Sequence, residues 1–299
     1  MKSWPLWAKP EVSGHPMPTL KQALLAAQQS LNGIADNPDL EATMLLCHLL
    51  DKPKSHLYAW PEAMLSESQQ QRYQQLIEQR QQGTPIAYIL QRREFWSLSL
   101  RVTPDTLIPR AESEMLVERA LHHLQSCHNP IAADLGTGSG AIALALASER
   151  PDARVAATDL HQAALSIAKE NAQRLGLQNL AFHAGDWCDA LPEDERFDVI
   201  LSNPPYIESA DPHLTQGDLP YEPHSALVSG EDGLDDIRTI IKQAPTRLKR
   251  NGWLILEHGY NQADVVRRLM KSAGMSGISS HTDLAGQPRV TEGYCSCIF

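Results

Sequence analysis

The sequence predicts an α/β protein in which a small helical domain precedes a seven-stranded, mostly parallel sheet whose last strand is antiparallel. Two observations support this fold class. From residue 111 onward, short apolar runs of strand length alternate with longer stretches of helical period. Before residue 84 the periods are helical only. A length of 299 residues suits two domains, because one domain usually takes about 100–200 residues.

The first part of the chain is predicted to be helical. Residues 1–18 contain four prolines and no clear period, so we expect a poorly ordered leader there. Residues 19–83 are expected to form a small helical domain without catalytic groups. One of its helices begins at Pro38 with Asn37 as the N-cap, and another follows a capping-box pattern that starts at Ser66.

The next segment, residues 84–110, is predicted to be a β-hairpin linker. Residues 86–90 and 96–102 are rich in strand-forming side chains, and the period changes to two in this region. We interpret these two runs as the paired strands of the hairpin, which would join the helical domain to the sheet domain.

The sheet domain is predicted over residues 111–299. Alternation of strands and helices is typical of a parallel sheet that is covered on both faces. Residues 283–289 are too few for a crossover, so the strand that follows them should be antiparallel. The predicted strands are 131–135, 154–158, 179–183, 197–202, 253–257, 277–282 and 290–297, and the predicted helices are 112–125, 140–149, 161–175, 233–249 and 261–273.

Composition narrows the class of protein. No run approaches the ~18 uncharged apolar residues of a membrane span, and the N-terminus lacks a secretion signal. The five cysteines are odd in number and scattered, as reduced thiols of a cytoplasmic protein would be. No metal site is predicted, and we expect a monomer.

The charge is distributed unevenly along the chain. Residues 1–111 carry 11 Lys and Arg against 10 Asp and Glu, whereas residues 112–299 carry 15 against 26. Nucleic-acid binding depends on neutralising phosphates. We therefore expect no direct nucleic-acid binding by the acidic sheet domain.

A glycine-rich turn follows the first strand of the predicted sheet. Glycine lets the backbone turn tightly and approach a ligand closely. A phosphate-binding Walker loop is excluded because no Lys-Ser or Lys-Thr follows. The turn indicates a nucleoside-type cofactor without separating nicotinamide from S-adenosylmethionine, and a turn that merely packs a helix on a strand stays possible. Its residues are Gly136, Thr137, Gly138, Ser139 and Gly140.

Two acidic positions follow the next two strands. Asp159 comes about 20 residues after the glycines, where a carboxylate can accept both ribose hydroxyls of an adenosine. Its other interpretation is an N-cap of the helix that starts near His161, and the two roles are compatible. Asp186 can accept from an adenine amino group while the Trp187 indole packs on the ring, although such a pair is often only turn and core.

The segment Asn203-Pro204-Pro205-Tyr206 follows the fourth strand. Two prolines ordinarily form a rigid turn. Rigidity also has a chemical use here, because an amide nitrogen is a poor nucleophile whose lone pair is delocalised. The Asn203 side-chain carbonyl and the Pro204 backbone carbonyl can accept its two hydrogens and aim the lone pair at a methyl carbon. Tyr206 can pack against the flat target group.

With these motifs the chain resembles the amino-group S-adenosylmethionine-dependent methyltransferases and, more narrowly, the release-factor glutamine methyltransferases. The resemblance extends over roughly residues 19–299. It also includes residues 84–89, 107–110, 221–223, 233–235, 257–259 and 283–290.

The resemblance implies a Rossmann-like methyltransferase sheet, S-adenosyl-L-methionine as cofactor and S-adenosyl-L-homocysteine as product. The implied substrate is the glutamine of the Gly-Gly-Gln loop in bacterial class I peptide chain release factors, methylated on its side-chain nitrogen. The helical domain would bind a release-factor surface away from that loop. In this hypothesis the glycine turn cradles the methionine end, Asp159 holds the ribose, and Asp186 and Trp187 hold the adenine. Catalysis and binding of the amide are assigned to Asn203, Pro204, Pro205 and Tyr206, and Asn203 also contacts the cofactor.

The chain departs from the family pattern at three positions. Ala111 stands where the family usually has proline, and Gln91 where it has glycine at the expected hairpin turn. Ser113 replaces threonine but keeps the hydroxyl, which leaves a cofactor contact open. Residues 207–232 form a loop too long for a routine connection, and we predict that it orders over the substrate peptide.

Three alternatives stay open. A glutamine methyltransferase acting on a ribosomal protein would carry the same motif. A nucleic-acid adenine N6-methyltransferase uses the same kind of site, but must flip a base and grip phosphates, which the acidic domain disfavours. An inactive adenosyl-binding scaffold would bind the cofactor without transferring its methyl group to any of these substrates.

Overall fold

The computed structural model describes residues 17–296. Residues 1–16 of the predicted leader and residues 297–299 lie outside the described part of the chain. The chain divides into two compact units, and the division falls between Gln91 and Arg92.

The first unit is helical, as predicted. The Asn37 side chain accepts a hydrogen bond from Leu40, and Ser66 with Gln69 forms a capping box, so both predicted helix starts are confirmed. Leucines from the helices meet in a core that also holds Tyr73, whose hydroxyl donates to the carbonyl of Ala42 at 2.9 Å. The helices are α1 (Leu20–Leu31), α2 (Pro38–Leu50), α3 (Lys54–Ala59), α4 (Glu67–Gln81) and α5 (Ile86–Leu90).

The prediction of a strand over residues 86–90 is wrong, because this run is helix α5. The period of two holds in residues 96–102 but does not extend over residues 86–90, which are all apolar. A short apolar run of this kind fits a strand and a buried helical turn alike. Gln91 ends the helix in the left-handed conformation, with φ of 51°. In this conformation a residue other than glycine destabilises the fold by about 1–2 kcal/mol. The glycine that the family usually has at this position is therefore explained by the end of a helix and not by a hairpin turn.

A hairpin does follow this helix. Its strands are β1 (Arg93–Phe95) and β2 (Leu98–Leu100), which pair antiparallel. Both turn residues, Trp96 and Ser97, have positive φ, as the tightest hairpin turns require. The hairpin therefore exists, but its first strand begins after the segment that the sequence indicated.

The second unit contains a seven-stranded sheet of order β5-β4-β3-β6-β7-β9-β8. β9 runs antiparallel to both of its neighbours and the other strands are parallel, so the predicted antiparallel last strand is confirmed. The strands are β3 (Ile131–Leu135), β4 (Arg154–Asp159), β5 (Leu180–Ala184), β6 (Phe197–Ser202), β7 (Leu248–Glu257), β8 (Met275–Thr282) and β9 (Pro288–Cys295).

Two helix layers cover this sheet. One core cluster contains Leu116 of α6 and Leu144 of α7, and the other contains Ile237 of α9 and Val266 of α10. The remaining helix, α8, packs on β4 and β5. These helices are α6 (Glu114–Leu124), α7 (Ala141–Glu149), α8 (Gln162–Leu175), α9 (Asp235–Gln243) and α10 (Ala263–Ser272).

The strand order reverses between β3 and β6. From β3 the chain continues to strands on one side of the sheet, and from β6 it continues to strands on the other side. The loops after β3 and β6 therefore diverge and leave a crevice at the carboxyl edge of the sheet. Such a crevice is where open α/β sheets bind ligands. Among the helices of residues 17–296, none has both the length and the apolar character needed to cross a bilayer.

Candidate active site

A cavity of about 300 Å³ opens at the carboxyl edge of the sheet. Its walls come from the loops after β3, β4, β5 and β6, together with residues 105–107 and part of the loop 207–232. Of the predicted site residues, the cavity brings together Gly136, Gly138, Asp159, Asp186, Trp187, Asn203 and Pro205.

At two positions of the glycine turn, neighbouring side chains leave no room for a Cβ atom. Gly136 has φ of 70°, and a Cβ built on it would lie 2.9 Å from the Trp187 ring. Gly140 has φ of 87°, and its Cβ would meet the Leu144 side chain at 2.9 Å. The first glycine therefore lets the indole lie against the turn, whereas the second permits close packing of helix α7 beneath it.

The side chains of Thr137 and Ser139 do not line the cavity. Both residues are buried, and the Thr137 hydroxyl donates to Asp134 Oδ2 at 2.6 Å. The carbonyl of Ser139 accepts from Asn171 Nδ2 at 2.9 Å. These contacts hold the shape of the turn, so any ligand contact from the two residues would have to come from their backbone.

Asp134 was missed by the sequence reasoning, although it begins the glycine motif. It is fully buried, and burial raises the pKa of its carboxyl to about 7 against the lowering effect of the Thr137 hydrogen bond. Oδ2 also accepts from the backbone N–H of Ala143 at 3.2 Å. Asp134 therefore ties the turn to the first turn of α7.

Asp159 joins the end of β4 to the glycine turn. Its Oδ2 accepts from the backbone N–H of Gly138 at 2.9 Å, and Oδ1 accepts from that of His161 at 2.8 Å. The N-cap of α8 is His161 itself, so the alternative role of Asp159 as helix cap is wrong. Each carboxylate oxygen can accept more than one hydrogen bond, which leaves acceptor capacity toward the cavity.

The wall after β5 carries Asp186 and Trp187. Partial burial raises the pKa of Asp186, and the nearby carboxylates Asp189 and Asp236 raise it further. Asp105 and Asp236 also line the cavity, and no lysine or arginine occurs among its described lining residues. The cavity is therefore suited to a cationic ligand.

A second cavity of about 60 Å³ adjoins the first. Its lining includes Pro204, Tyr206 and Arg110, and it shares Asn203 and Leu107 with the larger cavity. Asn203 thus lies where a ligand in one cavity and a ligand in the other would meet.

Asn203 belongs to a buried hydrogen-bond network. Its Nδ2 donates to Ser113 Oγ at 2.9 Å, and Ser113 Oγ donates to Glu257 Oε2 at 2.6 Å. The Tyr206 hydroxyl donates to Glu257 Oε1 at 3.3 Å. Ser113 lies at the end of a short 3₁₀ turn that begins at Ala111, and Glu257 ends strand β7.

The long loop is attached to the segment that precedes the sheet domain. Glu222 is buried and accepts from the backbone N–H of Ile108 at 2.9 Å and from the guanidinium of Arg110. The loop also pairs with itself, because Ile207 N–H donates to the carbonyl of Leu227 at 2.9 Å. Its ordering over a substrate peptide stays a prediction.

Ser113, Glu222 and Glu257 were not predicted as site residues. Ser113 lies at a departure from the family pattern, and both glutamates lie in segments that carry the resemblance. Their partners lie 51 to 144 residues away, so no local pattern could reveal the contacts. The only available signal was the position of Glu257 at a strand's carboxyl end.

Comparisons with known proteins agree with this geometry. A family model described as the PrmC N-terminal domain matches residues 22–90, and one described as a methyltransferase domain matches residues 131–290. The release factor glutamine methyltransferase of Xylella fastidiosa is 48% identical over 279 residues, which cover 93% of this chain and 99% of that protein. The enzyme of the same name from Vibrio cholerae is 48% identical over 92% of this chain and 96% of its own.

The fold has distant structural relatives as well. The 16S rRNA N2 G1207 methyltransferase (RsmC) of T. thermophilus, solved with AdoMet and guanosine, aligns with a TM-score of 0.51. It is 19% identical and the match covers 68% of this chain and 49% of that one. At this identity the likeness shows a shared fold alone.

Proposed function

This chain belongs to the release factor glutamine methyltransferase family, and we propose that it methylates the glutamine of the Gly-Gly-Gln motif in bacterial class I peptide chain release factors. The methyl group goes from S-adenosylmethionine to the side-chain amide nitrogen. The observation that carries the proposal is the position of Asn203 at the junction of two cavities, one large and acidic, the other small and walled by Pro204 and Tyr206.

The residues of the larger cavity fit S-adenosylmethionine. Gly136 lets the Trp187 indole lie against the glycine turn, and Asp159 has acceptor capacity for ribose hydroxyls. Trp187 offers an aromatic face and Asp186 an acceptor for the adenine amino group. The carboxylates of this cavity suit the sulfonium cation, because no lysine or arginine occurs among its described lining residues. When bound, this cofactor supplies an electrophilic methyl group and leaves as S-adenosylhomocysteine.

The Asn203-Pro204-Pro205-Tyr206 segment is proposed to orient the acceptor amide. Asn203 Oδ1 and the Pro204 carbonyl accept its two N–H hydrogens, and Pro205 keeps the backbone rigid. Tyr206 is held by its bond to Glu257, so its ring forms a fixed wall for a flat carboxamide. Orientation of this kind can correspond to an effective molarity of ~10⁵ M.

No general base is required before attack in this scheme. The amide nitrogen becomes acidic once it carries the methyl group, so its proton leaves after transfer. The acidic cavity improves cofactor binding but does not by itself accelerate the reaction, because transfer discharges the sulfonium. The rate therefore depends mainly on how well Asn203 and Pro204 orient the nitrogen.

A competition assay tests the acceptor class. The enzyme and methyl-labelled S-adenosylmethionine are incubated with equal amounts of a release factor, ribosomal proteins and adenine-containing DNA. We expect the label on the release factor. Label on the ribosomal proteins or the DNA would contradict the proposal, and cofactor binding without transfer to any of the three would indicate a scaffold.

We also propose that the helical unit recognises the release factor away from the methylated loop. Tyr58 and Trp60 are exposed by 71% and 62%, and exposed aromatic side chains often dominate protein interfaces. The double substitution Tyr58→Ala and Trp60→Ala should raise KM for the whole release factor about tenfold and leave KM for a short Gly-Gly-Gln peptide unchanged. Steady-state kinetics on both substrates measures this.

The exposed helix-α4 variant Gln71→Ala is the control and should behave like the wild type on both substrates. An equal rise in KM for protein and peptide would contradict the recognition role.

A cytoplasmic location is proposed as well. Within residues 17–296, Cys47, Cys127 and Cys188 are free thiols, which suits a reducing compartment. We further propose a monomer that makes no direct contact with nucleic acid. The acidic charge of residues 112–299 supports the second part of this statement.

A further inference from the structure

The Asn203 amide group can be turned in two ways, and only one of them suits the proposed reaction. Its amide presents an acceptor oxygen on one side and two donor hydrogens on the other. The substrate glutamine amide donates its N–H hydrogens, so it needs the Asn203 Oδ1 atom as hydrogen-bond acceptor. If the Asn203 amide were flipped, its Nδ2–H would face the N–H of the substrate glutamine and repel it. The enzyme therefore needs a way to keep Oδ1 toward the acceptor.

The network around Asn203 has one consistent direction. An ionised Glu257 can only accept hydrogen bonds, and its Oε2 lies 2.6 Å from Ser113 Oγ. The single Ser113 hydroxyl hydrogen is thus used toward Glu257, so Ser113 Oγ must accept from its other neighbour. That neighbour is Asn203 Nδ2, at 2.9 Å.

Burial makes this direction hard to reverse. Ser113 is 3% exposed and Glu257 is 1% exposed, so solvent water has little access to offer replacement partners. The second carboxylate oxygen is also occupied, by the Tyr206 hydroxyl at 3.3 Å. One carboxylate thus restrains both Asn203, through Ser113, and the aromatic wall of the smaller cavity.

We propose that Ser113 and Glu257 are positioning residues that hold the Asn203 amide with Oδ1 toward the acceptor nitrogen. The inference rests on the proposed function, in which Asn203 accepts a hydrogen from the glutamine amide. This role also explains why Ser113, which replaces the family's usual threonine, keeps a side-chain hydroxyl. The hydroxyl contacts Asn203 and Glu257, and Ser113 does not line the larger cavity.

The positioning depends on the charge of Glu257. Burial raises the pKa of this carboxyl to about 7, and Glu112 raises it further, whereas Ser113, Tyr206 and Arg289 lower it. The adjacent His258 bonds to Gly259 and Thr291, and burial lowers its pKa. Below a pH of about 7, protonated Glu257 gains a donor hydrogen and Ser113 can reverse. The kcat should therefore fall as the pH drops through this range.

Three variants test the proposal through two readouts. Nuclear magnetic resonance follows the Asn203 Nδ2 signal, assigned with Asn203→Ala, and kinetics follows kcat and KM for a release factor. Ser113→Ala removes both the acceptor of Asn203 Nδ2 and the donor to Glu257, so it should speed hydrogen exchange at Nδ2 and lower kcat about 10- to 100-fold. Ser113→Thr keeps the hydroxyl and should restore both readouts.

Glu257→Gln separates charge from shape. Glutamine can present its oxygen to Ser113 and its nitrogen to the Tyr206 oxygen, so the amide orientation should persist. This variant should lose the acidic limb of the kcat–pH profile and the matching titration of the Asn203 Nδ2 signal. Wild-type enzyme should show both with a midpoint near a pH of about 7.

Several results would overturn the proposal. These are an Nδ2 signal and kcat unchanged in Ser113→Ala, equal losses in Ser113→Ala and Ser113→Thr, or an acidic limb that persists in Glu257→Gln. If Ser113→Ala does not fold, the Glu257→Gln profiles decide. A wild-type enzyme that shows the Nδ2 behaviour but does not methylate the release factor would contradict the proposed function while supporting the positioning network.

Discussion

Replacement of Asn203 by alanine is expected to lower kcat on a release factor by about 10²–10³-fold, the usual cost of removing one preorganised hydrogen-bonding group from an active site. The substitution removes the acceptor oxygen at the junction of the two cavities. Affinity for S-adenosylmethionine should change far less, because Gly136, Asp159 and Trp187 remain. Single-turnover kinetics combined with calorimetric titration of the cofactor measures both quantities.

The matched control is Asn32→Ala, which replaces an exposed asparagine in the helical unit. It should retain wild-type kcat. Wild-type kcat in a folded Asn203→Ala that still binds cofactor would show that this residue does not orient the acceptor.

Replacement of Asp159 by alanine is expected to weaken cofactor binding by about 10²-fold, since hydrogen bonds to a charged group contribute about 1.5–3 kcal/mol each. The loss has two sources. The ribose hydroxyls lose their acceptor, and the backbone N–H of Gly138 loses the carboxylate that holds the glycine turn. Isothermal titration with S-adenosylhomocysteine measures the change, and thermal unfolding reports the effect on the turn.

Asp194→Ala, at an exposed position before β6, is the control and should bind the cofactor normally. Asp159→Asn keeps one acceptor oxygen and should fall between the wild type and Asp159→Ala. An unchanged dissociation constant in Asp159→Ala would remove this residue from the cofactor site.

The sheet could be predicted because its pattern is local. Central strands such as β3 and β6 are short, largely apolar runs between turn residues, and the short connection 283–289 revealed the antiparallel strand β9. The run 86–90 could not be assigned in this way. Five apolar residues fit a strand and a helical turn equally. The helix ends at Gln91 in the left-handed conformation, which glycine or asparagine would indicate in a sequence but glutamine does not.

The candidate site was predictable only in part, for a related reason. Residues that follow strands, such as Gly136, Asp159 and Asn203, meet because all carboxyl ends of parallel strands share one edge. The glycine pattern does not reveal whether a side chain of the turn faces the cavity or the interior, as those of the buried residues Thr137 and Ser139 do. A local pattern likewise does not reveal the contact between Ser113 and Glu257, which are 144 residues apart.

The central claim is that the enzyme methylates one glutamine nitrogen of a release factor. Tandem mass spectrometry of a release factor incubated with the wild-type enzyme and S-adenosylmethionine tests it most directly. The account predicts one added methyl group on the side-chain nitrogen of the Gly-Gly-Gln glutamine, and formation of this product about 10²–10³-fold more slowly when Asn203→Ala is used. A methyl group on any other residue, or an unmodified release factor, would contradict the account.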